Sequence, residues 1–122
     1  MNEFAPPNDD ICFALKHSAS IEGLAELPEF EHLDPDMVRD LMSEAARFMT
    51  DVISPTNRLG DEQGAVLRDG NVVMPEGYRA AYAALIEAGW NRVSAPEEHG
   101  GAALPFAIGT VMLEMFGASN MG

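Results

Sequence analysis

Gly89-Trp90-Asn91-Arg92-Val93-Ser94-Ala95-Pro96-Glu97-Glu98-His99-Gly100-Gly101-Ala102-Ala103-Leu104-Pro105 leads into the apolar run Phe106 to Phe116. Gly89 can close a preceding helix in the left-handed region and turn Trp90, the only tryptophan, back onto it. Pro96 to Gly101 reads as a turn. Its paired glycines let two backbones approach without a Cβ clash. From Pro105 the apolar residues Ile108, Val111, Met112, Leu113, Met115 and Phe116 surround most of a helix, which therefore requires burial on nearly every side.

Working outward, the clearest helix start lies at Asp34. Asp34 is an N-cap, Pro35 takes the first helical position and Asp36 favours the positive helix end. Leu33 and Val38 stand at the staple positions. Met37, Leu41, Ala45, Phe48, Met49 and Val52 repeat at helical spacing. The spacing continues past Pro55, so a kink is expected there and a stop near Gly60. Val66-Leu67-Arg68, Asp69-Gly70 and Asn71-Val72-Val73 have the pattern of a tight β-hairpin, which must lean on a helix to be stable. Pro75 is expected to open the next helix, with Tyr78, Tyr82, Leu85 and Ile86 on one face and Gly89 at its end. Before Asp34, residues 1–7 read as a loose leader, and Asn8 or Asp9 caps a short helix to about His17. Ile21 to Phe30 gives a helical turn or two ending near Pro28. The expected fold class is all-α with one short hairpin near 66–73, divided into an arm (1–33) and a helical domain (34–122).

The chain carries 20 acidic and 7 basic residues, a formal net charge of −13. Such a field repels phosphate backbones and anionic membranes and argues against nucleic-acid binding. One cysteine, Cys12, excludes an internal disulfide and reads as an inert thiol in an apolar run. No signal peptide and no membrane span is expected, and the composition suits the cytoplasm. Of the eight methionines, some fill irregular core gaps; others suit a surface facing another domain or a lipid-like ligand. His17, His32 and His99 have no partner at ligand spacing, so no metal site is expected. The pairs Asp9-Asp10, Asp61-Glu62 and Glu97-Glu98 are explained by helix starts and solvation. No nucleophile elbow or phosphate loop is present, and no residue qualifies as catalytic.

Gly89-Trp90, Pro96-Glu97-Glu98-His99-Gly100-Gly101, Leu104-Pro105 and Met112-Leu113-Glu114-Met115 together resemble the N-terminal domain of the flavin-dependent acyl-CoA dehydrogenases. His99 stands where an aromatic residue is usual in that family. Ile11 to Leu15, Leu27 to Phe30, Ala45 to Phe48, Pro55 to Arg58, Gly60-Asp61 and Asp69-Gly70 resemble a bacterial branch with an N-terminal extension. The resemblance covers nearly the whole chain. It implies that the flavin domain and the bundle bearing the catalytic base lie outside this segment. In such enzymes FAD takes a hydride from the acyl β-carbon while a carboxylate removes the α-proton. FAD is thus implied for the whole enzyme and not expected on this chain alone. The resemblance also implies that the segment leaving the last helix, Asn120 and Met121, walls part of an acyl tunnel. The implied partners are the remaining domains or a flavin-binding subunit, acyl-CoA through the complete enzyme, and copies of that enzyme in a homo-oligomer. The alternative is a free-standing acidic helical module or non-catalytic subunit docking on a flavin-binding chain.

Overall fold

The capping signal at Asp34 organises the longest helical run. In the computed structural model, which describes residues 4–122, the Asp34 carboxylate accepts the Asp36 N–H at 2.9 Å. Helix α3 follows as Pro35–Phe48. Leu33 and Val38 are both buried, as staple residues should be. A π turn, Met49–Ile53, then joins α3 to α4, Ser54–Gln63. Pro55 lies in the first turn of α4. The expected kink is replaced by this π turn, a local widening that absorbs a residue with no N–H to donate. The expected stop near Gly60 comes instead at Gly64, whose φ of +63° suits a helix end.

Helices α1 (Asn8–His17) and α2 (Ile21–Ala25) pack with α3, burying Ile11, Leu15 and Ile21 in the same core. Neither expected cap forms on α1, because Asn8 is already helical and donates across to Ser43 Oγ at 3.1 Å. The leader is not loose where it is described: the Phe4 N–H donates to buried Ser54 Oγ at 3.2 Å, and Pro6 is buried. Residues 1–3 of that leader lie outside the described residues. Beyond Ala25, Pro28 opens a separate 3₁₀ turn, Pro28–Phe30.

Strands β1 (Val66–Arg68) and β2 (Asn71–Val73) pair antiparallel, Val66 opposite Val73. Asp69 and Gly70 both have positive φ, the twist that two-residue hairpins favour. All six strand residues are exposed, and Val72 and Val73 border a concavity with Tyr78, Arg79 and Tyr82 of the helix that follows. Helix α5 spans Tyr78–Ala88, three residues later than the Pro75 start expected, because Gly77 holds a left-handed φ of 84°. Its buried face is Ala81 and Leu85, while Tyr82 points outward at 64% exposure.

Gly89 caps α5 with φ 79°, and Trp90 reaches Phe48 of α3, their ring centroids 6.3 Å apart. Residues 92–104 then fold on themselves. Ala102 N–H donates to Arg92 C=O, Leu104 N–H to Val93 C=O and Ala103 N–H to Ala95 C=O. Gly101 lies so close to the Ala95 carbonyl that a Cβ would overlap it, at 1.9 Å. Helix α6, Phe106–Ser119, closes the bundle against the π turn through Ile108, Met112 and Met115. Four methionines, Met42, Met49, Met112 and Met115, are core filling; Met37, Met74 and Met121 are exposed. The fold is all-α with one short antiparallel hairpin. Among the described residues no helix is long and apolar enough to cross a membrane.

Two substitutions separate capping from close packing. Asp34→Ala is expected to cost about 1 kcal/mol by removing the cap. Gly101→Val is expected to cost about 3 kcal/mol or more by driving apart the 95 and 101 backbones. Equal, negligible losses in a urea series would contradict both assignments.

Candidate functional site

The richest polar cluster gathers where α4, α5 and the end of α6 meet. Helix α6 stops because Asn120 turns extended, φ −158° and ψ 116°. Its side-chain amide is fully used. Nδ2 donates to Thr56 Oγ1 at 2.8 Å and to the Tyr78 hydroxyl at 3.1 Å. Oδ1 accepts from the Tyr78 hydroxyl at 3.1 Å and from the Gly122 N–H at 2.8 Å. Thr56 Oγ1 in turn donates to the Ile53 carbonyl of the π turn at 2.7 Å. The chain of bonds therefore runs from the π turn to the segment leaving α6.

Gly60 explains how Tyr78 enters. Glycine inside a helix costs roughly 1 kcal/mol relative to alanine. Here a Cβ at Gly60 would fall 1.8 Å from the Tyr78 hydroxyl oxygen. The tyrosine stands upright against α4 only because that position is bare. Asn120 and Tyr78 line a small concavity of about 200 Å³ with Ile53, Thr56, Ala81 and Phe116. Met121 does not join them: it is 87% exposed and borders a polar hollow beside Asn57 and Asp61. The two residues singled out in sequence are thus neighbours that face different concavities. Tyr78 and Thr56, the partners of Asn120, were not singled out, and the only sequence signal for them is a glycine inside a helical pattern.

A second concavity, about 560 Å³, lies between α6 and the Trp90 segment. Met49, Leu85, Trp90, Phe106, Leu113 and Phe116 form much of its wall. Phe106 and Leu113 are 82% and 72% exposed. No Lys, Arg or His lines it, so a dinucleotide's pyrophosphate would find no cation there. Its lining offers no charged side chain to such a group. Among the described residues no group of three His, Cys, Asp or Glu is arranged to hold a metal ion.

The acidic pairs are spread over the surface. Asp9 accepts from Arg39 at 2.7 Å, Glu62 from Arg58 at 2.7 Å, and Glu98 lies 3.5 Å from His99. All three pairs are solvent-exposed, so each adds little to stability. Burial pushes the Cys12 thiol up from its ordinary range, with Arg39 opposing and Asp9 reinforcing. Cys12 is therefore a protonated, weakly nucleophilic thiol at neutral pH.

No family model matches the chain. It is 35% identical over 118 residues to the 3-methylmercaptopropionyl-CoA dehydrogenase of Ruegeria pomeroyi, a match covering 97% of this chain and 20% of that enzyme. It is 30% identical over 82 residues to a broad-specificity linear acyl-CoA dehydrogenase of Mycobacterium tuberculosis, covering 66% of this chain and 13% of that one. The chain thus spans a fifth or less of the length of these relatives.

The exposed faces of α6 and the hairpin generate an expectation for the 122-residue chain in isolation. It should self-associate or bind an anionic apolar dye despite its charge, because Leu67, Val72, Phe106 and Leu113 are all exposed and uncovered apolar patches favour association. Light scattering with dye fluorescence checks this. A monodisperse, dye-free species with sharp unfolding would contradict it.

Proposed function

We propose that the chain is part of an acyl-CoA dehydrogenase, a reading supported by its similarity to two such enzymes, and that its share of that enzyme is architectural. It packs against the flavin-binding remainder and closes one side of the acyl tunnel. The whole enzyme, on this proposal, carries out FAD-dependent α,β-dehydrogenation of acyl-CoA thioesters as a cytoplasmic homo-oligomer. Residues 34–122 serve as its N-terminal helical domain and residues 1–33 as an extension.

The observation carrying this proposal is the apolar surface left open. The exposed area of 7895 Å² exceeds the roughly 6,400 Å² of a closed monomer of this mass. Part of the exposed surface is apolar. Leu67, Val72, Val73 and Met74 around the hairpin, and Phe106 and Leu113 on α6, are all exposed. Buried later against a partner surface, each such side chain contributes about 1.5–3 kcal/mol. That makes docking of the remaining domains favourable without new charges.

Acidity supports this division of the ligand. A net charge of −13 repels the phosphates of the CoA head group, so that head group belongs with the other domains. What this chain would offer the acyl tail is uncharged: Asn120, which shares a small concavity with Phe116, and the exposed Met121 that follows it. No step of the oxidation is assigned to its own side chains.

Purification tests this division. The isolated chain is expected to emerge colourless and to oxidise no acyl-CoA, whereas the protein expressed from its complete reading frame should retain flavin and do so. Stoichiometric flavin on the isolated chain would overturn the proposal. So would a complete protein with neither flavin nor acyl-CoA oxidation, which would favour a docking module.

A further inference from the structure

We propose that Tyr78 is a positioning residue that sets the direction in which the chain leaves α6, and so the seating of Asn120 and Met121 against an acyl group. This rests on the tunnel role proposed above for those two residues. The structural basis is independent of it. Helix α6 could end in many directions after Ser119, since the Asn120 backbone N–H is already satisfied by Phe116 C=O at 3.1 Å. One direction is chosen by the side chain. Its carbonyl oxygen holds the Gly122 N–H at 2.8 Å, folding the next two residues back over the amide. The amide is itself held on α5 by the Tyr78 hydroxyl and on α4 by Thr56.

Two glycines leave the room that this geometry needs. A Cβ on Gly60 would stand 1.8 Å from the Tyr78 hydroxyl oxygen, and one on Gly122 would stand 2.8 Å from it. The hydroxyl is thus seated between bare backbone on both sides. A phenylalanine would fill the same space and leave both Asn120 groups short of a partner. Because Asn120 is half-buried, the loss is not fully made good by solvent. The clamp does not touch the reacting atoms of any substrate. It acts through the segment it aims, so it bears on which acyl tails fit rather than on the chemistry.

The test uses the protein expressed from its complete reading frame, as wild type, Tyr78→Phe and Gly60→Ala. At an open helix position Gly60→Ala would stabilise; here it must displace the tyrosine. Deuterium exchange of the peptide covering residues 118–122 is expected to quicken by about fivefold or more in both variants. Against a series of acyl-CoA chain lengths, KM is expected to rise and the preferred length to shift, with kcat changing less. Unchanged exchange in both variants would overturn the clamp. Faster exchange with an unchanged chain-length profile would overturn its positioning role. If the wild type oxidises no acyl-CoA at all, the functional proposal fails and takes the positioning role with it, while the exchange result still decides whether the clamp exists.

Discussion

A helix that is apolar nearly all round has no stable place in water, and α6 finds one against the π turn at Met49–Ile53, the Trp90 segment, α1 and α3. Ile108, Met112 and Met115 of α6 and Met49 and Ile53 of the turn are all almost fully buried. The other elements take their positions from that contact. Helices α1 and α2 pack with α3 on the core that it anchors, and Trp90 reaches Phe48 just before the turn. The π turn serves a second purpose. Its last carbonyl, that of Ile53, accepts from Thr56, the first member of the bond chain that reaches Asn120.

The same contact leaves a residue of unsatisfied surface. Packing on one side of α6 leaves Phe106 and Leu113 open on another. The hairpin, which no helix covers, adds Leu67 and Val72. An acidic chain tolerates such exposure better than a neutral one, because self-repulsion opposes association. Charge and apolar surface therefore pull in opposite directions. The Ruegeria pomeroyi relative is about five times as long, this chain matching 20% of it.

What could be read from sequence was local. The Asp34 cap, the Asp69-Gly70 hairpin turn and the Gly89 helix end each depend on a few adjacent residues whose backbone demands are specific. Two departures were also local in origin but hidden. Pro55 signals disturbance without saying whether the helix kinks or widens, and Gly77 competes silently with Pro75 for the start of α5. The site was not legible. Thr56, Gly60, Tyr78 and Asn120 come from three elements, and Tyr78 read as one more member of an apolar face. Nothing in the spacing of these residues shows that a hydroxyl, an amide and a bare helix position converge.

Because the uncovered faces are held to be interdomain surface, the most direct measurement is hydrogen–deuterium exchange on this segment alone and within the complete protein. Peptides covering the hairpin and the Phe106 to Phe116 face should gain protection of roughly tenfold or more in the complete protein, as local opening becomes costlier. The exposed acidic turn at Glu97–His99 should change little. Equal exchange of the hairpin and α6 in both would contradict the claim that these faces are built to be covered.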